Sequence, residues 1–234
     1  MEQLSGAVCD LASEVVSVLR DGDHRPVAGA AAQDGEAQAL GVAAVRVLGA
    51  DVLLPSVLFR RSPEEADLAL VREAVRAYPP GEDAPVSTAW SHWGMVRALH
   101  RGRAPEGGPR EPDVSWAAEL PWQPFTHQLS LLAALAVPET GVTSGVGRAA
   151  AARPVDLARG FVRAVRRRDW LQAAGAGRWL AALESGPYAG GVPESLGLDS
   201  GLEFVLRMGG EDPRVALHAH AAQLMRGGHG PVAG

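Results

Sequence analysis

Apolar residues in this chain recur at three- and four-residue steps far more often than at alternate positions, and that spacing predicts helices. Leu4, Val8, Leu11, Val15 and Val18 share one face of a first helix, with Asp10, Glu14 and Ser17 between them. The pattern stops at Asp21-Gly22-Asp23, where a loop rich in Ala, Gly and Pro begins. A second helix is predicted over 36–48. The stretch 51–59 (DVLLPSVLF) is apolar enough for a buried strand, but Pro55 removes a ladder donor from its middle, so it reads as a buried turn or short helix.

Ser62, Pro63 and Glu65 have the spacing of a capping box with proline at the first helical position. Leu68, Val71, Val75 and Tyr78 are the expected buried stripe of that third helix, and Pro79-Pro80 ends it. A fourth helix is predicted over 87–101, with Gly102 as its stop. The segment 102–112 has the composition of an exposed loop. Short helices are expected around 114–120 and 126–137, separated by Pro121 and Pro124. Residues 155–167 and 169–184 predict a helical hairpin, with Asp169 capping its second arm. Its seam would hold Leu157, Phe161, Val165, Trp170, Leu171, Ala174, Trp179 and Leu183. A helix over 199–208 and another from Asp212-Pro213 to about Met225 close the chain.

The fold class is therefore expected to be all-α, an irregular bundle of about eight or nine helices that can divide into two lobes. The N-terminal lobe would be 1–137 and the C-terminal lobe 154–226. Between them 138–153 reads as a linker or lid, and 227–234 as a disordered tail.

Composition changes what chemistry is open. The chain contains no lysine, isoleucine or asparagine, so all 22 basic residues are arginine. Codon bias in a high-GC bacterium accounts for such usage. A Schiff base on pyridoxal phosphate, the phosphate loop of the GxxxxGK[ST] type and the phosphate-pairing lysine of kinases are all excluded. The one cysteine, Cys9, rules out an internal disulfide and a cysteine-rich metal site, and its neighbours suggest a small buried residue. A net charge of −5 disfavours general nucleic-acid binding. The N-terminus lacks a basic region followed by an apolar one, and no apolar run is read as long enough to span a bilayer. A cytoplasmic protein that does not enter membranes is the expectation.

Six tryptophans outnumber four phenylalanines and two tyrosines. Trp90 and Trp93 lie three apart beside His92, so they can wall a pocket for a small organic ligand or build a tryptophan-rich core. His92 is the leading acid–base candidate. Arg97 and His100 follow on the same helix, and Trp122 and His127 are further candidates for substrate contact. Arg159, Arg163, Arg166 and Arg167 recur at helical spacing, with Arg168 and Arg178 nearby. Guanidinium binds phosphate, sulfate or carboxylate through paired donors, so Arg159 and Arg163 are candidate anion ligands. The stripe can equally be a solvated face or a patch for an acidic partner. His218 and His220 are two apart and would point to opposite faces of a helix. His24 and His229 read as exposed. Residues 141–147 (GVTSGVG) look like a phosphate cradle but lack the lysine and the preceding strand. No HExxH and no carboxylate-rich helix face occurs, so no metal and no cofactor are expected.

These residues suit a small-molecule enzyme or binding protein of bacterial metabolism, acting on an anionic substrate by positioning and electrostatics. Elimination, isomerisation or cyclisation would use such tools. The alternative is a non-catalytic helical subunit that docks on a partner protein, as part of a homo- or hetero-oligomer.

Overall fold

The computed structural model of the protein describes residues 2–23, 25–27, 35–101, 109–138, 143–185 and 191–227. These are helical, with no strand among them. The α-helices are α1 (Glu2–Asp21), α2 (Gly35–Leu48), α3 (Leu54–Leu58), α4 (Glu65–Ala77), α5 (Val86–Leu99), α6 (Trp116–Glu119), α7 (Trp122–Leu131), α8 (Gly145–Ala152), α9 (Pro154–Arg166), α10 (Trp170–Glu184), α11 (Leu198–Gly209) and α12 (Pro213–Arg226). Among the described residues the count exceeds eight or nine: the stretch 51–59 contributes the short α3, and α8 lies where a linker was expected. Residues 24 and 229, and the tail beyond 227, lie outside the described residues.

The chain forms two compact units, Met1–Pro112 and Asp113–Gly234. The division falls after Pro112 and not within 138–153. The physical reason is that α7 packs against α9 and α10, which ties it to the second unit.

In the first unit α1 buries Val8, Leu11, Ala12, Val15, Val18 and Leu19 and packs along α2. Cys9 is only half-buried. The apolar stretch 51–59 is helical: a 3₁₀ turn, Gly49–Leu53, runs into α3, whose first turn accommodates Pro55. Together with α2 it makes Ala37–Leu58 a run of 22 residues, with mean hydropathy 1.7 over an 18-residue window, long and apolar enough to cross a membrane by length and composition. This corrects the sequence reading of no such run. Arg46, Asp51 and Pro55 interrupt the run and lower its mean, but the valines, leucines and alanines around them keep it high. More than half of the tested window, 56 %, is buried inside the protein. Gly49, at φ +68, breaks the run into separate helical pieces.

The third predicted helix is present but turned and shortened. α4 begins at Glu65, and Glu64 caps it through its backbone without a side-chain bond, so the Ser62 capping box is not made. Glu65 pairs instead with Arg72, at 2.6 Å. The buried face is Asp67, Leu70, Val71 and Ala74, while Tyr78 is 41 % exposed. Buried Asp67 fixes that rotation by accepting from the Val27 N–H at 3.2 Å. A buried N–H needs an acceptor, and this requirement outweighs the apolar stripe.

In the second unit the helical hairpin is α9 and α10, with Asp169 accepting from the Gln172 N–H at 3.2 Å as the cap. Helix α10 is buried from Ala173 to Leu183 and is packed by α7, α8, α9, α11 and α12. Helix α7 starts at Trp122, four residues earlier than expected, and Pro124 sits in its first turn, where an N–H has no intrahelical partner to lose. Arg226 binds both Glu184 of α10 and Asp199 of α11, which pins the end of α12 to its neighbours.

Candidate functional site

The tryptophans of α5 are core residues of the first unit. Trp90 is fully buried and Trp93 is 3 % exposed. Their rings meet edge to face, with centroids 5.1 Å apart. The Trp93 indole N–H donates to the Pro109 carbonyl at 3.1 Å, and the Arg97 guanidinium lies over its ring at 5.3 Å. His100 ends α5, exposed, with its Nδ1 against the Val96 carbonyl at 2.7 Å. His92 is half-buried, and its Nδ1 is buried without a hydrogen-bond partner.

Burial, and then the positive charge of Arg46, hold the His92 imidazole below its usual pKa of 6.5. Arg46 is itself partly desolvated, and donates to the Tyr78 and Thr88 carbonyls and to the Ser91 hydroxyl. A consequence for stability follows. The unfolded imidazole takes up a proton as pH falls through 6.5, while the folded one resists. The unfolded state then holds more protons, so stability is full above 6.5 and declines as pH drops from there toward the folded value. His92→Gln is expected to flatten the fall in unfolding free energy between about pH 7 and pH 5. Denaturant titrations across that range test it, and identical slopes in the two proteins would contradict the assignment.

The second unit holds the other candidates. His127 is exposed on α7. Arg178, counted with the positive stripe in the sequence, is fully buried in α10, donating to the Ala136 carbonyl at 3.0 Å and meeting His218 Nδ1 at 3.1 Å. Guanidinium has no acceptor, so His218 must present a bare Nδ1 to it. Arg178 is thus a core residue. Residues 143–147 open α8: the Ser144 hydroxyl accepts from the Gly147 N–H at 3.0 Å, which occupies the cap. Among the described residues no three of His, Cys, Asp and Glu cluster as metal ligands do.

Arg159, Arg163, Arg166 and Arg167 do come together, along one side of an open groove of about 760 Å³. At 100° per residue they fall within an arc of about 100° and span about 12 Å of α9. Beside them Val155, Ala158 and Val162 form an apolar floor, with Val155 48 % exposed. Trp122 of α7 closes one end, and the turn carrying Pro193, Ser195 and Leu196 makes the facing wall. Arg163 lies over the Trp122 ring, 5.8 Å from its centroid. Among the described residues no carboxylate lines the groove. Arg159 reaches Asp156 only at 3.5 Å, and Asp156 is already held by Arg153 at 2.8 Å.

Four of the sequence candidates therefore stand in the second unit, and three of them, Trp122, Arg159 and Arg163, line one surface. The sequence reading missed the groove's floor and its facing wall. Val155 and Val162 were the available signal, since both fall off the seam that α9 shares with α10. No protein-family model matches this chain, and no curated protein or solved structure is similar to it.

Proposed function

We propose that the protein binds a small anionic organic molecule in the groove along α9. One observation carries this reading: four guanidinium groups, of which Arg159 alone has a carboxylate in reach among the described residues, Asp156 at 3.5 Å, stand beside a partly exposed apolar floor. Like charges so placed repel, and a bound anion relieves that repulsion. Arg166 and Arg167 also favour the negative end of the helix dipole, which is reason enough for their presence. Arg159 lies in mid-helix, outside the reach of that argument. A ligand with a charged group and an apolar body would satisfy both edges, and the groove's volume suits a small molecule.

Among the described residues the only hydroxyl lining the groove is that of Ser195, and guanidinium stays protonated near neutral pH. The groove's own chemistry is thus recognition. Acid–base catalysis at His92 is a separate proposal, which rests on a neutral imidazole with an unpartnered buried nitrogen.

Octyl sulfate and octyl glucoside share a tail and differ in charge. Calorimetric titration should show saturable binding of octyl sulfate, with octyl glucoside at least about tenfold weaker. The double variant Arg159→Gln, Arg163→Gln should lose about tenfold in affinity for octyl sulfate, while Arg20→Gln, on α1, should lose none. Equal binding of the two amphiphiles, or no effect of the double variant, would refute the proposal.

A further inference from the structure

The anion-binding reading of the groove is the basis for a sharper one about its ligand. Each side chain on a helix has neighbours three and four residues away, about 5–6 Å off at Cβ. Arg159 and Arg163 are such a pair, and so are Arg163 with Arg166 and Arg163 with Arg167. Two long guanidinium side chains at that separation can converge on one tetrahedral group. A carboxylate presents two oxygens in one plane and carries a single charge, so it offsets the charge of only one guanidinium. It would leave the other guanidinium groups facing each other uncompensated. A phosphate monoester presents three oxygens and carries close to two charges above its second pKa, so it can accept from two arginines at once.

Arg163 is also the member beside an aromatic ring: its guanidinium carbon lies 5.8 Å from the Trp122 ring centroid, within reach of a cation–π attraction. Ser195 on the facing wall offers a hydroxyl to the same space. The apolar positions Val155, Ala158 and Val162 run beside the arginines for about 10 Å along the helix, so the ligand's body lies parallel to the cationic edge. The groove is open to solvent, so a free molecule can enter it.

We propose that the ligand is a free phosphate monoester with an aliphatic or aromatic body, its dianionic headgroup shared by Arg159 and Arg163 and its body laid over Val155 and Val162. The discriminating probe is octyl phosphate against octyl sulfate, each below its micellar concentration. Both are tetrahedral oxyanions on the same tail, and they differ by one charge at about pH 8. Titration calorimetry should give octyl phosphate an advantage of about tenfold at that pH. At about pH 5.5, with circular dichroism confirming the fold, the second charge is largely lost and the advantage should shrink toward parity. The variant Arg159→Gln should abolish the preference while retaining measurable binding of octyl sulfate. Equal affinities at pH 8 would overturn the phosphate assignment and leave the anion groove standing. Failure of both amphiphiles to bind would remove the groove reading as well. Binding to vesicles containing phosphatidic acid, without binding of monomeric octyl phosphate, would overturn the free-ligand assignment in favour of a membrane surface.

Discussion

Replacing Trp179 by alanine is expected to cost about 3–5 kcal/mol, the largest single loss in the molecule. Trp179 is fully buried on α10, the helix against which α7, α8, α9, α11 and α12 all pack. Truncation removes the apolar contacts of a large ring and leaves a cavity that five surrounding helices cannot collapse together to fill. The indole N–H also donates to the Leu129 carbonyl at 2.7 Å, which holds the end of α7 against α10. That carbonyl accepts from the Leu132 N–H as well, so losing the indole donor does not leave it bare. The two contributions can therefore be separated. Trp179→Phe keeps most of the ring and should cost only about 0.5–1.5 kcal/mol for the lost hydrogen bond beyond its small volume change. Amide hydrogen exchange along α10 reports both. A Trp179→Ala protein with α10 protection within about 1 kcal/mol of the parent would show that the second unit is not built around this helix.

The groove depends on that packing, since α9 is positioned by α10 beneath it and by α7 beside it. This explains which parts of the architecture could be read from the sequence. Helices with a local start signal and a clean apolar face, such as α9 and α10 with Asp169 between them, lie within a residue or two of where their period places them. Helix α4 does not, because its rotation is set by a hydrogen bond from Val27, forty residues distant in sequence. No local period encodes such a partner. Arg178 was read as part of a surface stripe for the same reason: its acceptors, Ala136 and His218, come from other elements. The arginines of the groove are visible as a set because α9 and its C-terminal cap, Arg167, carry all four. Its facing wall was not, because the turn at Glu194–Leu196 approaches α9 only through the tertiary fold.

The approach of α7 to α9 yields the second large effect. Gly160 on α9 is buried, and a methyl group built there would lie 2.5 Å from Thr126 Cβ and 2.7 Å from its Cγ2. The clash is with an atom bonded directly to the α7 backbone, so a rotamer change cannot relieve it and the helices must separate. Gly160→Val is accordingly expected to lose about 3 kcal/mol, the upper end of what overpacking costs. Removing the opposing side chain tests the mechanism. Thr126→Gly alone should cost about 1 kcal/mol through helix propensity, together with the Thr126 hydroxyl bond to the Gln123 carbonyl. Combined with Gly160→Val it should recover part of the loss, giving a favourable coupling of about 1–3 kcal/mol in a double-mutant cycle. Strict additivity would mean that Gly160 is not a point of contact between the helices. The cycle also reads on the groove. Thr126 is one turn from Trp122, and Gly160 one turn from Arg163, so widening this contact draws the indole away from the guanidinium beside it. Octyl sulfate affinity should therefore fall in Gly160→Val at temperatures where circular dichroism still shows a folded chain, and return in the double variant along with stability. Unchanged affinity in the folded single variant would show that Trp122 has no part in holding the ligand.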